Sequence, residues 1–216
     1  MSTAADTGPD FDALARRVMA EAGCVAIILY GSRASGRHRP NSDIDLVGLV
    51  RGSGEHRRAL THAGLPVDLS LHGTDGIPPP ETARYFAGGR LLAGDHAAAE
   101  AFLDHCRRSE AAGPPPVGEA ERRRLRIWAE KTATRIPAPG DPAAALYRRG
   151  WLAQQLYELY FRLRGRWDPK IDEGFASMRR DDPDLAALFD ATQGLPPGAA
   201  LLEAQRALID RVFSAP

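Results

Sequence analysis

Apolar and polar positions change their period near the middle of the chain. Over residues 11–22, Phe11, Leu14, Val18 and Met19 fall at helical spacing, with Asp10 as a cap and Gly23 as a stop. Residues 24–30 are a nearly unbroken apolar run and predict a buried strand. Residues 31–36 predict a short helix or turn, residues 44–50 a second strand, and residues 55–63 a further helix. In 65–71 the pattern alternates: Val67, Leu69 and Leu71 share one face, Asp68 and Ser70 the other, as a third strand requires. Pro78-Pro79-Pro80 interrupts the chain. A short helix (81–87), a short strand (90–93) and a helix (96–108) are expected after it.

Gly113-Pro114-Pro115-Pro116 is the best boundary in the sequence. Beyond it every periodic segment is helical. Helices are predicted over 119–135, 142–164, 171–180, 183–192 and 198–213. Leu152, Leu156, Leu159, Tyr160 and Leu163 form the apolar stripe of the longest. Strands mixed with helices, then helices alone, imply an α+β chain: an N-terminal domain over 1–112, a Pro-rich linker over 113–118, and an all-α bundle over 119–216.

Composition narrows the partners. An apolar fraction of 44% and a charged fraction of 26% are ordinary for a globular protein. Twenty-eight basic residues balance twenty-eight acidic ones, which disfavours bulk capture of nucleic acid or an anionic membrane. No apolar run approaches the ~20 residues of a membrane-spanning helix. The N-terminus has neither a basic segment nor an apolar core, so no secretory leader is expected. Cys24 and Cys106 lack metal-ligand spacing, and reduced thiols in a cytoplasmic protein are the simplest reading. Arg122, Arg123, Arg124 and Arg126 lie among Glu119, Glu121 and Glu130, as on a salt-linked helix face.

The chemistry concentrates between residues 28 and 47. An apolar run ends in Gly31-Ser32, ten residues of polar loop follow, and the next apolar run opens with Asp43-Ile44-Asp45. On a strand, residues i and i+2 face the same way, so two hard oxygen ligands project together, as Mg²⁺ carrying nucleotide phosphates requires. Asp68, between Val67 and Leu69, is an acidic residue in an apolar strand, where an unpaired charge is costly and a divalent ion would offset it. Gly31 permits close backbone approach to a ligand, and Ser32 offers a hydroxyl and an N–H to phosphate. Arg33, Arg37 and Arg39 surround the turn and could neutralise phosphate oxygens.

Leu29-Tyr30-Gly31-Ser32-Arg33-Ala34-Ser35-Gly36, then Ser42-Asp43-Ile44-Asp45-Leu46, then Val67-Asp68-Leu69, resembles the nucleotidyltransferase superfamily related to DNA polymerase β. The resemblance implies a small mixed β-sheet core flanked by helices. It implies that Asp43, Asp45 and Asp68 hold Mg²⁺, with two ions expected, and that Gly31 and Ser32 bind the phosphates of ATP or another nucleoside triphosphate. The C-terminal helices resemble, more loosely, those of antibiotic nucleotidyltransferases of the kanamycin type. There the helical domain lines the acceptor pocket and supplies a carboxylate base. Glu158 is the candidate for that base, on a polar stripe with Trp151, Gln155 and Arg162; Lys170 is a candidate phosphate contact. Relatives assemble as dimers, which leaves a homodimer open.

Rival readings are specific. Gly31-Ser32 can be an ordinary strand-to-helix turn, Asp43 a cap, Asp45 an exposed strand carboxylate, and Asp68 half of a strand-end salt bridge. Trp128, Trp151, Tyr157 and Tyr160 are expected to pack the helical core, and His72 to cap a strand or lie on the surface. The combined reading is an Mg²⁺-dependent enzyme moving AMP from ATP to the hydroxyl of a small molecule, with pyrophosphate leaving. Alternatives are AMPylation of a protein by an antitoxin-type enzyme, RNA tailing, and an idle nucleotide-binding or partner-docking module.

Overall fold

The computed structural model describes residues 9–136 and 140–214. Residues 1–8, on which the reading of a leaderless N-terminus falls, lie outside the described residues. The chain divides into two compact units, residues 1–112 and 113–216.

The first unit is a five-stranded mixed sheet between two helical layers. Helix α1 (Phe11–Ala22) starts where the Asp10 side chain accepts the Ala13 N–H at 2.9 Å, and stops at Gly23 with φ 65°. The strands are β1 (Cys24–Tyr30), β2 (Ile44–Val50), β3 (Glu55–His62), β4 (Leu65–Gly73) and β5 (Arg90–Gly94), in the order β3-β4-β2-β1-β5. β2 and β4 run parallel; the other neighbours are antiparallel. A single helical turn, α2 (Gly31–Ala34), leaves β1. After β4 come α3 (Pro80–Ala83), a 3₁₀ turn (Arg84–Phe86) and, past β5, α4 (His96–Ala112).

Each sheet face buries alternate residues. Ile27, Leu29, Ile44, Leu46, Val67, Leu69 and Leu71 pack with Leu14, Ala15 and Val18 of α1. Ala26, Ile28, Val47 and Leu49 pack with Phe86 and with Ala99, Phe102, Leu103 and Cys106 of α4. This pleat places Tyr30, Asp45 and Asp68 on the α4 side.

One element departs from expectation. Residues 55–62 form an edge strand, not the helix expected over 55–63. Glu, Arg, Ala and Leu favour helix intrinsically, but Ala63 and Gly64 have φ of 49° and 77°, and the two-residue turn folds β3 back onto β4. The pairing partner decides the conformation. His72 also departs: it is 3% exposed, with its ring 5.3 Å from that of Phe86 and 5.7 Å from that of Phe102.

The second unit is helical throughout its described residues: α5 (Glu119–Arg135), α6 (Pro142–Arg162), α7 (Ile171–Asp181), α8 (Pro183–Gly194) and α9 (Ala199–Phe213). Its core joins Leu152, Leu156 and Phe161 of α6 to Leu185 and Phe189 of α8 and Leu208, Ile209 and Val212 of α9. Asp182 caps α8 by accepting the Leu185 N–H, and pairs with Arg211 at 2.8 Å. Arg123–Glu119 and Arg126–Glu130 are ion pairs along α5, as the charge pattern predicts. Tyr157 and Tyr160 are buried and Trp128 is partly so, but Trp151 remains 43% exposed, edge-on to Trp128. Among the described residues, no helix is long and apolar enough to cross a membrane.

Candidate active site

The site is built from strand register. In the parallel pair β2–β4, Asp45 lies directly beside Asp68; in the antiparallel pair β1–β2, Asp45 lies opposite Tyr30. Tyr30, Asp45 and Asp68 thus form one transverse row on one face of the sheet. Neighbouring strands lie ~4.8 Å apart, so the two aspartates are direct cross-strand neighbours. Both are half-buried. Asp43 is exposed, one residue before β2.

Burial, followed by the fields of Asp45, Asp68 and Asp43, pushes the Tyr30 phenol well above the ordinary tyrosine range, with Arg57 opposing. The phenol therefore stays protonated at neutral pH among acidic neighbours. Its ring stands edge-on to Phe86 at 4.8 Å.

Gly31 fits this row closely. Its φ is 71°, and a Cβ placed there would lie 2.9 Å from the Asp45 carboxyl carbon, with one carboxylate oxygen closer still. Only glycine lets the carboxylate settle against the turn. Ser32 is half-buried. The turn is closed by the Ser35 N–H to the Gly31 carbonyl at 3.2 Å and the Arg37 N–H to the Ser32 carbonyl at 2.9 Å.

Arg33, expected from sequence near the nucleotide, turns its guanidinium toward the end of the polar loop. It is 8% exposed. Its Nε donates to the Ser42 and Asp43 carbonyls at 3.1 and 3.0 Å, and its Nη2 to those of Pro40 and Ser42 at 3.2 and 2.7 Å.

The other two candidates belong to the second unit. Glu158 is half-buried on α6, and its carboxylate accepts from the Gln154 and Gln155 amides at 3.1 and 3.2 Å. Lys170 is exposed at the start of α7, and its carbonyl accepts from the Gly174 N–H and the Tyr157 hydroxyl.

Two residues on the same sheet face escape the sequence reading. Tyr30 could have been found by counting the pleat back from Gly31. Arg57, opposite Ser70 and one row in from Asp68, was hidden by the mistaken helix over 55–63. A cavity of about 240 Å³ in this unit is a separate feature, lined by Leu49, Gly73, Thr74, Phe102, His105 and Arg108 toward the far ends of β2 and β4.

Among the described residues, no group of three or more His, Cys, Asp and Glu side chains is already arranged to hold a metal ion. The donor types nevertheless suit one: Asp45 and Asp68 in register, and Asp43 one residue before β2, offer hard oxygen ligands of the kind Mg²⁺ takes.

Residues 13–79 match the family described as nucleotidyltransferase domain. Among solved structures, a nucleotidyltransferase-like protein from Exiguobacterium sibiricum 255-15 is similar, with 13% identity and a TM-score of 0.49 over 92% of this chain and 72% of that one. A toxin–antitoxin structure with AMP-PNP shows 17% identity and a TM-score of 0.33 over 46% of this chain and 85% of that one. No curated protein sequence matches significantly. The family match spans β1, the Gly-Ser turn, Asp43, Asp45 and Asp68, so residues 13–79 of the N-terminal unit match a nucleotidyltransferase domain.

Proposed function

We propose that the chain transfers AMP from ATP to the hydroxyl of a small-molecule acceptor and releases pyrophosphate, in the cytoplasm and with Mg²⁺. The observation that carries this reading is the register of Asp45 beside Asp68 at the Gly31 turn. Gly31 and Ser32 seat the β- and γ-phosphates through backbone N–H groups and the Ser32 hydroxyl. Asp43 and Asp45 hold the nucleotide-bound cation, and Asp68 a second one on the acceptor side. When bound, Mg²⁺ supplies neutralisation of the triphosphate charge and a lowered acceptor pKa. Glu158 is proposed to take the acceptor proton, and Lys170 to contact phosphate. The small-molecule acceptor is supported by the resemblance of the helical unit to that of antibiotic nucleotidyltransferases.

Transfer of radiolabel from α-labelled nucleotides, with small-molecule and protein fractions counted separately, tests the reading. Label in a small-molecule product from wild type, and none from Asp45→Asn, is the expected result. Label confined to protein would redirect the acceptor to a polypeptide. Nucleotide binding with no release of pyrophosphate in any acceptor pool would leave an idle module.

A further inference from the structure

Asp43 lies on an exposed stretch of chain, outside the strand that fixes Asp45. Residues 35–41 and 43 are exposed, while Ser42 is half-buried. What holds this stretch comes from across the loop. Arg33, on the turn after Gly31-Ser32, is almost fully buried and sends four hydrogen bonds to the carbonyls of Pro40, Ser42 and Asp43. The loop end is also closed on itself: the Ser42 N–H reaches the Arg39 carbonyl at 3.0 Å, and the Ser42 hydroxyl accepts the Arg39 N–H at 2.9 Å.

A buried guanidinium is costly unless its charge and its donors are met. Here carbonyl oxygens meet the Nε and Nη2 donors, and each lies within three residues of Asp43. The planar fork suits several converging carbonyls in a way a lysine ammonium does not.

We propose that Arg33 is a positioning residue: its grip on the carbonyls of Pro40, Ser42 and Asp43 locks the Asp43 carboxylate to the Gly31–Ser32 turn, so nucleotide affinity depends on a side chain that binds no phosphate. The proposal rests on the nucleotide-site reading above. It makes the phosphate turn and the outer carboxylate one mechanical unit. Strand β2 orders Asp45 without help; Asp43 needs the brace.

The test is isothermal titration of the full chain with the magnesium complex of α,β-methylene-ATP, which cannot be cleaved at the α-phosphorus. Wild type, D43N, R33M and R33K are compared, with amide hydrogen exchange over residues 37–43 and thermal melting. Wild type binds and D43N does not. R33M weakens binding by about tenfold or more, speeds exchange in 37–43, and melts near wild type. R33K recovers part of the affinity and part of the protection. If R33M fails to fold, R33K decides: weaker binding with faster loop exchange supports the brace, and wild-type affinity overturns it. R33M binding like wild type overturns it, as does lost affinity with unchanged loop exchange, which would mark direct phosphate contact. A wild type that binds no nucleotide, or a D43N that binds equally, overturns the nucleotide-site reading itself and the brace with it.

Discussion

Replacing Gly31 by alanine tests how closely the turn and the carboxylate are fitted. Gly31 has φ 71°, and an L-residue in that region costs about 1–2 kcal/mol. The added Cβ would also stand 2.9 Å from the Asp45 carboxyl carbon. Swinging the carboxylate off its rotamer to relieve this costs about 0.5–1.5 kcal/mol more. The sum is about 1.5–3.5 kcal/mol. Gly36 is the internal control: its φ is 72°, but a Cβ there meets nothing within 4 Å. G36A therefore carries only the backbone cost, and the two variants should differ in urea-unfolding free energy by about 1 kcal/mol. Activity should differ far more. Displacing Asp45 by even ~1 Å should lower nucleotidyl transfer by about 10²-fold, while G36A stays near wild type. A G31A enzyme with near-wild-type turnover, or a G36A enzyme equally impaired, would refute the fit.

Three further outcomes follow from burial. Burial, partly opposed by Glu55, holds the His72 imidazole below its ordinary value of 6.5. In the window just below that value the unfolded chain binds more protons than the folded one, so stability falls as pH drops through it; His72→Phe should flatten the acid slope of urea midpoints, and an unchanged slope would contradict this. Burial pushes the Cys106 thiol up to about 12; iodoacetamide at neutral pH should spare it in the native protein and label it in urea, and native labelling at the unfolded rate would count against the buried placement. Leu156 is 0% exposed in the helical core, so Leu156→Ala should cost about 2–5 kcal/mol by denaturant titration; a loss far below that would mean the helical unit packs otherwise.

Local signals were readable where they were self-contained. Asp10 and Gly23 bracket α1, and the apolar runs of β1, β2 and β4 need no partner to be recognised. β3 was unreadable because its decisive signal is a turn whose first residue, Ala63, takes a positive φ that alanine seldom adopts. Asp43, Asp45 and Asp68 could be named from residue type and spacing, but their alignment is a property of the β2–β4 register, which no single segment encodes. The four bonds of Arg33 go to backbone carbonyls, and any residue type supplies those, so the sequence around Arg33 holds no trace of its partners. Trp151 shows the opposite failure: it sits beside the buried Leu152 on α6, yet the rotation of the helix leaves it exposed.

The central claim is that Asp43 and Asp45 hold a nucleotide-bound cation beside the Gly31 turn and that Asp68 holds a second. Crystals grown with Mn²⁺ and α,β-methylene-ATP, measured for anomalous scattering, address it directly. Anomalous peaks at the Asp43 and Asp45 carboxylates and at Asp68, with the triphosphate against Gly31 and Ser32, are the predicted result. A peak elsewhere, or nucleotide bound away from this row, would contradict it.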